Sequence, residues 1–315
     1  METLTKYILS PVGGLYLINK ACKIFSTFFF TKKERTYTRE YIADKNIMIK
    51  NVSQDYGKKL LEDKDTKYIF VINIDEFSND DDASSIFAMS SNKSNKNFQN
   101  ISKIVDFILL NLQPHEQIIL NVDSPGGSVI EYFYVYNQLK RLKDKGYTLN
   151  IFVKKMAASG GYLISCLGNI TATNDSQIGS IGVYSSGFNY NELLKFLKIG
   201  YKLYKSGELK NLGDPYDVPS EDADKKLQND VINIHNRFKK AVNENRKNIN
   251  IDQVASAELW FADEAKELGL IDNIGTINDY LIEKAKEYVI YELSYKIEKE
   301  QSSMGWLDLI TKLNR

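Results

Sequence analysis

The chain has 315 residues, 43% of them hydrophobic, which is enough to bury a sizeable core and excludes disorder throughout. Lys+Arg and Asp+Glu both number 41, so no net field favours nucleic acid or another highly charged polymer as a partner. The two cysteines, Cys22 and Cys166, have no metal-ligand spacing and supply no disulfide framework.

Residues 1–35 form a hydrophobic N-terminal segment whose apolar stretch, 7–30, is interrupted by Lys20 and Lys23 and makes a poor membrane span. No small-residue cleavage site follows it, and Lys32, Lys33, Arg35 and Arg39 lie just beyond. It reads either as an interfacial membrane anchor or as an arm packed on a domain or a partner subunit. Residues 36–66 are polar without a clear period and read as a linker, and a globular domain is expected over 67–290. Its first strand covers 68–74, ahead of a polar excursion over 78–98. Regular alternation follows: a helix near 98–112, a strand at 117–122, a helix near 128–144, a strand at 148–153 and a helix opening at Ser159. Strands separated by helical lengths imply βαβ units and a mostly parallel sheet. Short β-like runs at 170–173 and 201–204 bracket a helix at about 190–198. A long amphipathic helix over 220–247 opens at the capping run Pro219-Ser-Glu-Asp222, and shorter helices near 263–268 and 276–288 precede an amphipathic C-terminal tail over 291–315.

Three features carry chemistry. Ser124-Pro-Gly-Gly-Ser128 joins a strand to a helix, leaving the N–H groups of Gly126 and Gly127 unshielded at the positive helix end, where an oxyanion would sit. Ser159 stands at a second strand-to-helix turn, bracketed by Ala158 and Gly160. Lys210 ends the run Lys205-Ser-Gly-Glu-Leu-Lys210, and a lysine can take a serine proton only where burial disfavours its ammonium form. Taken singly, these are a tight turn, a helix cap and a solvated charge. The chain has only two histidines, His115 and His235, which makes lysine the more natural base. His235 itself reads as structural, on the long helix. Ser90-Ser-Asn-Lys93 has the Ser-x-x-Lys spacing but sits in a polar run, and Asp80–Asp82 lacks the glycine and glutamate of a calcium loop.

Residues 117–280 resemble the signal peptide peptidase SppA and SohB family of serine peptidases. The resemblance lies in Ser-Pro-Gly-Gly-Ser at 124–128, Ala-Ala-Ser-Gly-Gly-Tyr at 157–162, Ile-Gly-Ser-Ile-Gly-Val at 178–183, Ser-Gly-Glu-Leu-Lys at 206–210 and Glu-Leu-Gly-Leu-Ile-Asp at 267–272. It implies an α/β fold of the Clp protease and crotonase type, stacked ββα units around a mostly parallel twisted sheet. It also implies that Ser159 is the nucleophile, Lys210 the general base, Gly126 and Gly127 the oxyanion hole and Ser180 the residue that orients the lysine, with no cofactor or metal. Serine and lysine come from neighbouring copies in this family, so one copy per chain implies a homo-oligomer whose site is completed between protomers. Peptides such as signal-peptide remnants would be the substrates, at a membrane or in the cytoplasm. A crotonase-type acyl-CoA enzyme and a non-catalytic membrane-associated scaffold are the rival readings. The chain departs from the pattern after its first core strand, where Asp75–Asp80 replaces a glycine-bearing turn.

Overall fold

Runs rich in isoleucine and valine build the sheet, because branched side chains fit a pleated, packed surface. The computed structural model describes residues 47–56, 66–75, 100–218 and 220–295. The apolar stretch 7–30, the excursion 78–98 with Asp80–Asp82 and Ser90–Lys93, and the tail beyond 295 lie outside the described residues. The strands are β1 (Ile47–Asn51), β2 (Lys67–Asp75), β3 (Gln117–Ser124), β4 (Leu149–Ala158), β5 (Asn169–Ala172), β6 (Gln177–Gly179), β7 (Leu259–Phe261), β8 (Asn273–Ile274) and β9 (Tyr288–Tyr295). They form one sheet in the order β1-β9-β2-β3-β4-β5-β8, with β6 pairing β4 and β7 pairing β6. Only the β1–β9 and β6–β7 pairs are antiparallel.

The helices are α1 (Ile101–Asn111), α2 (Val129–Asp144), α3 (Gly160–Ser165), α4 (Asn191–Phe196), α5 (Glu221–Asn245), α6 (Ile251–Val254), α7 (Ala262–Glu267) and α8 (Ile277–Lys284). On one sheet face Ile72, Leu120 and Val122 pack with Ile104 and Ile108 of α1, Leu139 of α2, Ile164 of α3 and Val242 of α5. On the other, Ile69, Ile119, Phe152 and Ile290 lie with Leu281 of α8. Helices on both faces of a mostly parallel sheet are what the strand–helix alternation predicts. Ser220 caps α5 as expected, its Oγ accepting from Ala223 N at 3.4 Å. No helix among the described residues is long and apolar enough to cross a membrane.

Two strands form where the sequence suggested none. β1 lies within the stretch expected to be a linker, and β9 spans the expected end of the domain. Val289, Ile290 and Leu293 of β9 are fully buried, because the strand inserts between β1 and β2. The strand expected at 201–204 does not form. Those residues run through an exposed arm that offers them no sheet edge, and Tyr204 is 89% exposed.

A register break in β4 shapes the region around Ser159. Val122 pairs with Val153, but Ser124 pairs with Ala157, so β4 carries two extra residues there. The Met156 N–H freed by the break donates to Asp123 Oδ1 at 3.2 Å. Beyond the break β4 changes neighbour, pairing with β5 through 150–153 and with β6 through 156–158. The end of β4 is thereby aimed over the end of β3.

Candidate active site

The turns after β3 and β4 lie side by side at the carboxyl ends of neighbouring parallel strands, the usual place for a ligand in an α/β sheet. Gly126 has φ +88°, and a Cβ there would sit 2.7 Å from Ser159 Cβ and 2.9 Å from the Ala158 carbonyl oxygen. Only glycine fits where the two turns touch. Ser159, half-buried at the start of α3, adopts φ 51° and ψ −119°. A non-glycine residue held there stores on the order of 1–3 kcal/mol of strain, as in the sharp strand-to-helix elbows that present nucleophiles. Its N–H donates to Gly179 O at 2.8 Å, which pins the strained residue to β6.

A buried pair of hydroxyls supports this junction. Ser124 Oγ and Tyr132 Oη are 2.5 Å apart, and Ser124 Oγ also accepts from Gly126 N at 3.1 Å. The Gly126 N–H is therefore committed to its own turn. The amides of Gly127 and of Gly160, the residue after Ser159, have no acceptor among the described residues. Gly160 packs so closely on the Tyr132 ring that a Cβ would lie 2.3 Å from Cγ. The structure thus brings Gly126, Gly127 and Ser159 together, and adds Gly160, Ser124 and Tyr132 to them. A donor directly after a nucleophile is a general feature of such elbows, so Gly160 was findable from sequence; nothing in the sequence pointed to Tyr132.

Ser159 opens onto a cavity of about 80 Å³. Its apolar walls come from Phe133 of α2, Leu163 of α3, Val183, and Ile234 and Phe238 of α5. Ser180, just after β6, also has a left-handed backbone, φ 50°. Its N–H donates to Glu258 O at 2.6 Å and its carbonyl accepts from Gly182 N at 2.8 Å. His235 Nε2 lies 3.1 Å from Ile181 O, so α5 is fastened to the same bend that supplies Gly182 and Val183 to the cavity.

Lys210 stands apart. It is exposed on the arm between 184 and 218, its N–H donates to Gly207 O at 3.0 Å, and it does not line the cavity at Ser159. The arm carries large apolar side chains in the open: Phe188 is 79%, Phe196 81% and Leu209 64% exposed. Among the described residues, no group of three His, Cys, Asp or Glu side chains could hold a metal ion. Cys166 is buried, and burial pushes its thiol up to about 12, so it stays protonated and inert.

Comparison with known proteins points to peptidases. Residues 141–290 match the model of peptidase family S49, and residues 73–178 match that of Clp protease. The chain is 35% identical over 197 residues to the protease SohB of Buchnera aphidicola subsp. Acyrthosiphon pisum, covering 62% of this chain and 59% of that one. It is 35% identical over 196 residues to SohB of Haemophilus influenzae, covering 62% and 56%. A protein of Enterococcus faecium named signal peptide peptidase SppA is 34% identical over 199 residues, covering 60% and 57%. The chain thus spans under three fifths of the length of each of these relatives.

Proposed function

We propose that the chain is a serine endopeptidase with a Ser159/Lys210 dyad shared between copies, a reading supported by the match of residues 141–290 to the model of peptidase family S49 and of residues 73–178 to that of Clp protease. The observation that carries this reading is the strained Ser159 turn, set against two unengaged amides and an apolar cavity. An apolar side chain of a peptide enters the cavity and brings the scissile carbonyl over Ser159. Ser159 Oγ attacks the carbonyl carbon as its proton passes to the Lys210 amine, and the oxyanion that forms is held by the Gly127 and Gly160 N–H groups. Lys210 then donates that proton to the leaving amine, and water, deprotonated by the same lysine, hydrolyses the acyl-enzyme.

An exposed lysine cannot serve as a base, since a base of this kind must be desolvated. Docking of the arm on a second copy supplies both needs: it covers the apolar side chains around Lys210 and carries the amine toward that copy's Ser159. Ser180 follows Gly179, whose carbonyl accepts from Ser159 N, and orients the arriving amine. Substrates are extended apolar peptides, signal-peptide remnants among them, and the apolar segment 7–30 would hold the enzyme near the membrane where such peptides arise.

A fluorophosphonate probe with mass-spectrometric readout tests this. Label is expected on Ser159 of the assembled protein, and lost by orders of magnitude in both Ser159→Ala and Lys210→Ala. Peptide hydrolysis should climb with pH, since a lysine base works only as the neutral amine. A rate that is flat from about pH 6 to 10, or labelling undiminished in Lys210→Ala, would exclude the dyad.

A further inference from the structure

Lys210 is carried on an arm whose shape converges on one carboxylate. Asp214 Oδ2 accepts from the Tyr201 hydroxyl at 2.5 Å and from the Asn211 side-chain amide, and Oδ1 accepts from the Tyr216 N–H at 2.8 Å. One donor precedes Lys210 in the chain, one follows it directly, and one lies beyond Asp214. The turn between is tight, with Asn211 at φ 73° and Gly213 at φ 75°. The hub is braced from α4: Tyr190 N donates to Pro215 O at 2.6 Å, Asn191 Nδ2 donates to Tyr216 O at 2.9 Å, and the Tyr190 ring stacks on Tyr216 with centroids 6.0 Å apart. The Lys210 amine itself has no hydrogen-bond or ion-pair partner among the described residues, so its position follows from the loop alone.

We propose that Asp214 is a positioning residue for Lys210, its carboxylate holding the 201–216 loop in the shape that presents the amine to Ser159 of a neighbouring copy. The proposal rests on the shared-dyad reading above. Three donors on one carboxylate are charge-assisted bonds, stronger than neutral ones. The Tyr201 hydroxyl, ahead of the Tyr216 and Asn211 amides, holds the Asp214 carboxyl below its usual range, and Asp214 pushes the Tyr201 hydroxyl up to about 12. A pre-shaped loop also lowers the entropy lost when the arm docks. Misplacement of a reacting group by about 1 Å can cost 100-fold in rate, so the loss of one hub is felt at the amine.

Mixed oligomers test it. Ser159→Ala copies retain Lys210 and Lys210→Ala copies retain Ser159, so each is inactive alone while their mixture recovers activity at sites pairing the two. Asp214→Asn placed on the Ser159→Ala copies should lower kcat of the mixture about 10- to 100-fold with KM unchanged. The same change on the Lys210→Ala copies should leave the mixture as active as its parent. Equal losses from both placements, with assembly intact by size-exclusion chromatography, would mean a general structural role and overturn the proposal, as would no loss from either. If the parent mixture is silent while the wild type is active, the shared dyad fails instead. Asp214→Asn in the wild-type background then decides: a fall in kcat at constant KM and melting temperature supports positioning, and an unchanged kcat refutes it.

Discussion

Ser159 accepts a backbone that an L side chain disfavours. Glycine adopts φ 51° freely, whereas alanine keeps the Cβ that makes it costly. Ser159→Gly should therefore be more stable than Ser159→Ala by about 1 kcal/mol in denaturant unfolding, with both inactive. Equal stabilities would mean that the turn is relaxed. At this scale the sequence was informative about Ser159, Gly126 and Gly127, because glycines beside a serine after a strand leave few other conformations. It was silent on how the donors divide. Gly126 spends its N–H on Ser124 while Gly160 has no acceptor among the described residues, and that depends on contacts between turns whose glycines are 160 − 126 = 34 residues apart in the chain.

Between elements, α5 is the support for the cavity. Ile234 and Phe238 reach into it, and His235 between them donates to the Ile181 carbonyl in a bend that also holds Ser180. The sequence identified α5 by its cap and period, yet gave His235 no neighbour, since nothing local says which carbonyl a helix face will meet. Ile181 is fully buried, so removing its donor leaves a carbonyl unsatisfied. His235→Leu should cost about 1–3 kcal/mol of stability, and His235→Gln, which can still donate, should recover much of it, as read from denaturant midpoints at constant m. A full-sized loss in both would assign the effect to packing. The β2, β3 and β4 strands were legible because they are apolar runs. β1 was not, because its buried Ile47 and half-buried Ile49 alternate with exposed Met48 and Lys50 in a short polar context, and its partner lies at the far end of the chain.

Over the whole molecule, the arm is the feature through which we propose that copies meet. Its open aromatic and aliphatic side chains lie in the same segment as the proposed base, so on the proposed docking specific activity should fall on dilution, as copies separate, and return on concentration. Activity independent of concentration in a preparation shown by light scattering to be monomeric would rule out the shared site. The long sheet has a further consequence, set by where its last described strand lies. β9 inserts between β1 and β2, so both edges that flank it stay open until residue 295 has been made. During synthesis on the ribosome the nascent chain would hold two unpaired, adhesive borders until this strand threads home.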